Sequence, residues 1–232
     1  MIPLRDNNPS RSVPFVNITL IAVNLAVFVY QLFLGARLEG FFHAFGVVPR
    51  QFFGDLPSHF LDPGLYLPFL SSQFLHGGVV HLGGNMLFLW IFGDNVEDRL
   101  GHLRYLLFYL GAGLMAGAAH AILNAGSPMP SIGASGAIAG VMGAYVVWFP
   151  RARVLTLIPL FIFIQFVEIP AVFYLGFWFL MQFFSGALSL GDARTSQAGG
   201  VAWWAHIGGF AVGLAVGFIV RARNRRRPFS WH

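Results

Sequence analysis

Residues 79–123 read VVHLGGNMLFLWIFGDNVEDRLGHLRYLLFYLGAGLMAGAAHAIL: two apolar runs, Val79–Val96 and His102–Leu123, joined by a short charged turn. A bilayer core takes about 20 mostly apolar residues per helix. The pair therefore reads as a membrane hairpin. Working outward adds four more runs of this kind, Pro14–Leu34, Gly133–Phe149, Glu168–Leu188 and Val201–Val220. The predicted architecture is all-α: a six-transmembrane-helix bundle with a structured first external loop, formed by a single domain over residues 1–232. The fourth run is short, and the sequence does not mark where it starts.

Composition points the same way. The chain is 56% hydrophobic and only 10% charged, with a mean hydropathy of +0.68. A soluble domain carries about 25% charged residues, so this chain has too little polar surface to face water all round. There is no cysteine, which removes disulfides, thiolate nucleophiles and cysteine metal sites together. The net charge of +5 comes from arginine alone, since the chain has no lysine, and five of its fourteen arginines lie between Arg221 and Arg227. Without a basic surface interleaved with aromatics, that cluster fits a tail facing anionic lipid headgroups rather than nucleic acid.

An even number of spans puts both termini on one side. The segments expected there hold eleven of the fourteen arginines, leaving Arg37, Arg50 and Arg194 opposite. The positive-inside rule then predicts cytoplasmic termini. The first apolar run is too long for a signal-peptide core and lacks a cleavage site, so it is expected to remain as a span. Gly35–Gly78 becomes the long external loop, with interfacial segments such as Phe41–Phe45 and Gln51–Phe53. Leu155–Val167 reads as a second apolar segment of that interfacial kind, with an unsettled boundary to the fifth span.

Polar side chains inside spans are costly and mark function by default. Ser135 lies in Gly133-Ala134-Ser135-Gly136 at the start of the fourth run. The glycines allow a tight turn, and a helix start offers free N–H groups to a developing oxyanion. Small residues of this kind also serve close helix packing. His206 shares a helical face with Gly209, Gly213 and Gly217, a stripe that brings its helix against a neighbour. Alone it reads as a satisfied core histidine; beside a serine it is a base that could activate the hydroxyl. His81 and Asn85, spaced i, i+4, stack on one face of the second span and could donate to an oxyanion or bond between helices. His76 is off that face and is placed near the membrane surface. Neither Glu168 nor Asp192 is positioned by the sequence beside His206, which leaves a Ser-His dyad.

Together these residues resemble the rhomboid family of intramembrane serine proteases. The resemblance rests on His81-x-x-x-Asn85 in the second span, Gly133-x-Ser135-Gly136 opening the fourth, and Ala205-His206-x-x-Gly209-x-x-x-Gly213 in the sixth, in order along nearly the whole chain. It implies that Ser135 is the nucleophile and His206 the general base, with His81, Asn85 and the Ser135 N–H as the oxyanion hole. It further implies a site below the outer membrane surface that cleaves single-span substrates, with the fifth span as a lateral gate. Two features depart from the family pattern. Ala139 stands where many members carry an aromatic that packs on the catalytic histidine, so an aromatic from the fifth or sixth span is expected to take over. The Trp-Arg pair of some first loops is absent, Arg50 following Pro49.

The expected function is intramembrane serine endopeptidase, with no metal or cofactor. The expected partners are transmembrane protein substrates and membrane lipid; the sequence does not address oligomeric state. The arginine bias and the lack of long extensions suit the inner membrane of a bacterial cell. The alternative is an inactive relative that binds membrane helices. A transporter would need paired charges in its spans, and a zinc protease an H-E-x-x-H helix.

Overall fold

The computed structural model describes residues 1–160, 163–190 and 202–225. Asp192, Arg194, the predicted start of the sixth span at Val201, and the tail arginines Arg226 and Arg227 lie outside the described residues. The elements in order are β1 (Ile2–Asp6), α1 (Phe15–Leu32), α2 (Leu38–Phe45), α3 (Pro49–His59), α4 (Leu67–Ser71), α5 (Val79–Leu100), α6 (His102–Leu123), α7 (Ser135–Trp148), β2 (Arg153–Leu160), β3 (Phe163–Pro170), α8 (Ala171–Leu190) and α9 (Trp203–Arg225).

A helix stands at each of the six expected places. Helices α1, α6, α8 and α9 are long and apolar enough to cross a membrane. Helix α5 ends in Asp94, Glu97, Asp98 and Arg99, and reaches that apolarity only together with the segment Pro63–Phe74, bent 82° from it. Helix α7 has 14 residues, roughly 21 Å at 1.5 Å per residue. That is shorter than a bilayer core of about 30 Å. Eleven of its residues, Gly136–Tyr145 and Val147, are buried, so α7 is the central post around which the longer helices stand.

Glycine and alanine set how closely they stand. A Cβ added at Gly209 would overlap the Gly136 carbonyl oxygen, and one at Gly213 that of Gly140. On the third side, a Cβ at Gly136 would lie 2.6 Å from Ala116 Cβ, and one at Gly140 2.6 Å from Ala112 Cβ. Lipid tails are as apolar as leucine, so the helices gain from close backbone approach and dispersion rather than from apolar burial.

Helix α1 contributes a polar face that the sequence reading passed over. Asn17, Asn24 and Gln31 recur every two turns and are all buried. Asn17 Nδ2 donates to Leu89 O at 3.0 Å, and Asn17 Oδ1 accepts from Tyr105 OH at 2.7 Å. The start of α1 has no side-chain cap of its own; Glu97 of α5, fully buried, accepts from Val16 N–H at 3.0 Å and Asn17 N–H at 2.7 Å. His102 Nδ1 lies 2.5 Å from the same carboxylate. A carboxylate on the free N–H groups of a helix start satisfies donors and dipole together.

The interfacial reading of Leu155–Val167 gives way to a β-hairpin. Strands β2 and β3 pair antiparallel from Arg153↔Pro170 to Leu160↔Phe163, and β1 adds to the other edge of β2 with Ile2↔Leu157 and Asp6↔Val154. The run is dense in Val, Ile, Phe and Thr, which favour strands, while Pro159 and Pro170 disfavour a helix. The sheet lies at the arginine-bearing end of the bundle, where Asp6 is bonded to Tyr145 of α7. Arg221 of α9 donates to Val147 O at 3.3 Å there, so the start of α1 and the described end of α9 share one end.

The opposite end carries the long loop, and it is structured as expected. Val47 and Ser131 exchange backbone hydrogen bonds of 3.0 and 2.8 Å, Arg50 N–H donates to Ser127 O at 3.0 Å, and Gly133 N–H donates to Ser72 O at 2.9 Å. The loop thus clamps the segment that leads into α7.

The backbone contact makes a sharp prediction. Gly213→Ala should destabilise the protein by about 1–3 kcal/mol, the usual cost of overpacking. Gly176→Ala, in α8 where nothing lies within 4 Å of the added methyl, should be neutral or stabilising. Thermal unfolding in the same detergent compares the two; equal melting points would reject tight α7–α9 packing.

Candidate active site

Gly133 has φ of 129°, a conformation that L side chains rarely adopt. It turns the chain so that helix α7 begins at Ser135. The first N–H to find a helical carbonyl is that of Ile138, bonded to Ala134 O at 3.0 Å. The preceding N–H groups, that of Ser135 among them, are therefore free of intrahelical partners, as at any helix start.

The close approach of α9 delivers His206 to this point. His206 is buried, and its Nε2 lies 2.7 Å from Ser135 Oγ. An imidazole nitrogen at that separation can take a hydroxyl proton. The other ring nitrogen, Nδ1, lies 2.7 Å from Gln182 Oε1 of α8. Trp178, one turn earlier on α8, stacks obliquely on the imidazole with centroids 5.6 Å apart, and Trp203 of α9 meets it edge-on at 6.4 Å. The aromatic support expected in place of Ala139 is present. Gln182 was missed, although it is the one amide in an otherwise apolar helix and the rule that singled out His206 applies to it equally.

Helix α5 closes the other wall. A Cβ at Gly133 would lie 2.8 Å from His81 Nε2 and 3.6 Å from Ser135 Oγ, so His81 reaches the same point. Gly77 N–H approaches His81 Nδ1 at 3.4 Å, which favours the proton on Nε2, facing the site. Asn85 is buried one turn along, and its Nδ2 has no hydrogen-bond partner. An unpaired buried amide donor costs about 1–3 kcal/mol and is the kind of group that awaits an acceptor. His76, in the segment just ahead of α5, is buried within the protein, edge-on to His81 at 5.1 Å. Its backbone is held by Gln31, which accepts from His76 N–H at 3.1 Å and donates to His76 O at 2.8 Å.

Ser135, His206, His81, Asn85 and Trp178 line one cavity of about 1100 Å³, together with His120 of α6, Asn124 just after it, Met142 of α7 and Trp203 and Trp204 of α9. It contains a hydroxyl bonded to a buried base, free N–H groups and an unpaired amide on opposite walls, and no carboxylate among the described residues. Ser135, His206, His81 and Asn85, the four residues singled out from the sequence, all line it.

The rhomboid domain family matches residues 63–223, which include every one of these groups. The chain belongs to the rhomboid family. Among the similar relatives, the Rhomboid protease GluP of Bacillus subtilis is 41% identical over 92 residues, covering 40% of this chain and 18% of its own length. The mitochondrial Rhomboid protein 1 of Saccharomyces cerevisiae is 29% identical over 167 residues, covering 68% and 43%. RHOMBOID-like protein 4 of Arabidopsis thaliana is 32% identical over 160 residues, covering 66% and 34%. This rhomboid thus spans less than half the length of each of these relatives.

The turn at Gly133 offers a test of the geometry. A methyl there meets both a strained φ and His81 Nε2, so Gly133→Ala should slow labelling of Ser135 by a fluorophosphonate probe at least tenfold. Its unfolding should stay cooperative. Labelling at the wild-type rate would mean that His81 does not crowd this point.

Proposed function

We propose that this rhomboid is an intramembrane serine endopeptidase acting through Ser135 and His206. The observation that carries the reading is the 2.7 Å contact between a buried imidazole and a hydroxyl at the first residue of a helix. Ser135 Oγ attacks the substrate carbonyl carbon while its proton passes to His206 Nε2. The carbonyl oxygen becomes an oxyanion, held by the Ser135 N–H, Asn85 Nδ2 and His81 Nε2–H. The C–N bond then breaks, and His206 returns the proton to the leaving nitrogen. Water repeats the sequence on the acyl enzyme and restores the serine.

Asn85 Nδ2, buried without a partner in the resting protein, supports the oxyanion role: its hydrogen bond is made only when charge develops on the substrate. No step requires a metal or cofactor. The whole chain acts as one catalytic domain, its partners being transmembrane proteins and the surrounding lipid. The arginine distribution supports a multi-pass protein of the bacterial inner membrane with both termini cytoplasmic, the cavity opening toward the outer face.

In a liposome assay with a fluorogenic single-span peptide, Ser135→Ala should abolish cleavage, and Asn85→Ala should lower kcat by roughly 10²–10³ at little-changed KM. Equal cleavage by wild type and Ser135→Ala would overturn the serine mechanism.

Helical carbonyls are bonded within the helix, so a spanning substrate must unwind at the cut. Replacing weak helix formers around the cut by Ala and Leu should therefore slow cleavage. An unchanged rate for the stiffened peptide would sink the unwinding requirement.

A further inference from the structure

We infer that Gln182 is a positioning residue for His206, a neutral third member that completes the Ser135–His206 pair from helix α8. The inference rests on the serine-protease reading of the site and goes beyond it by assigning a residue outside the dyad and the oxyanion donors.

The geometry is that of a relay. Ser135 Oγ, His206 Nε2, His206 Nδ1 and Gln182 Oε1 form an unbroken chain, with both hydrogen-bonded separations at 2.7 Å. Both Gln182 and His206 are buried, so the bond between them is shielded from bulk water. A neutral imidazole carries one proton, and only the form with that proton on Nδ1 leaves Nε2 free to accept from Ser135. An amide oxygen facing Nδ1 selects that form, because an oxygen can only accept. Turned over, the same amide would present an N–H to Nδ1, move the proton to Nε2, and leave the base unable to take the serine proton. The orientation of one side-chain amide therefore decides whether the base is available. An amide already serves as third member in the Cys-His-Asn arrangement of other proteases.

The location accounts for an amide rather than a carboxylate. The ring and its partner are enclosed by apolar helices, and no carboxylate lines the cavity among the described residues. A buried carboxylate without a full set of partners is costly in such surroundings; an amide orients the ring at no charge cost. Trp178 and Gln182 are one turn apart on α8, so a single helix supplies both the face contact and the Nδ1 partner. The orientation of His206 thus depends on α8 being packed in place.

The test is nitrogen NMR of the full chain, histidine-labelled, in lipid nanodiscs at neutral pH, on wild type, Gln182→Met and Gln182→Glu, with cleavage kinetics in parallel. Wild type should show His206 protonated at Nδ1 and bare at Nε2. Gln182→Met keeps the shape without the acceptor and should lose that preference. Its kcat should fall roughly tenfold or more at unchanged KM. Gln182→Glu keeps an acceptor and should restore the Nδ1–H form. A resting wild type protonated at Nε2 would overturn the inference, as would a Gln182→Met protein with unaltered protonation. A fall in kcat with unaltered protonation and a lower melting point would assign Gln182 to packing alone and equally overturn it. The protonation measurement needs no turnover: a wild type unable to cleave would defeat the serine-protease reading, while the spectrum would still decide whether Gln182 orients the ring.

Discussion

Helices α7 and α9 touch through their backbones, and the rest of the molecule is arranged around that contact. Gly209 and Gly213 of α9 lie directly on the carbonyls of Gly136 and Gly140 of α7. A side chain at either position would push the helices apart by the width of a methyl group. His206 sits one turn before Gly209 on the same stripe, and Ser135 one residue before Gly136. The separation between base and hydroxyl is therefore a property of the helix packing, and two more flexible side chains could not hold it as well. Close approach of this kind is the main source of helix association in lipid, where burying apolar surface gains little.

A membrane bundle that holds polar groups must pair them or place them where a ligand will. Helix α1 shows the first solution: Asn17 and Gln31 reach backbone and tyrosine partners on other helices or the loop, and Glu97 closes the start of α1. The cavity shows the second, where Asn85 Nδ2 stays unpaired against the wall facing Ser135. The contrast separates structure from chemistry within one set of residue types. Asn17 and Gln31 tie helices and loop together, whereas Asn85 Nδ2, one of several buried polar atoms without a partner, lines the cavity beside Ser135.

The long external loop acts on the site through hydrogen bonds to the segment ahead of α7. Val47, Arg50 and Ser72 hold residues Ser127, Ser131 and Gly133, so the strained turn at Gly133 is fixed from outside the bundle. That support lets a short helix begin at Ser135 with its first N–H groups free of intrahelical partners. Helix α8 contributes from the other side through Trp178 and Gln182. The cavity is thus framed by one close backbone contact, one clamped turn and the Trp178 side chain of α8.

The amino-acid sequence by itself determined the membrane class, the six helical segments and the four residues Ser135, His206, His81 and Asn85, because each signal is local. Apolar runs are counted along the chain, and a polar residue within one stands out whatever its neighbours are. It misread Leu155–Val167, where strand and interfacial segment share one composition and only pairing with Ile2–Asp6 separates them. Its own rule for polar residues in spans applies equally to Asn17, Gln31 and Gln182, which it passed over, and the rule does not say which side chains face one another. That required the tertiary structure. The partner of His206 lies 24 residues away on another helix, and His76 is buried because Gln31, 45 residues earlier, holds its backbone. Distances between helices depend on how their small residues interlock, a property of surfaces meeting in space that no single stretch of chain carries.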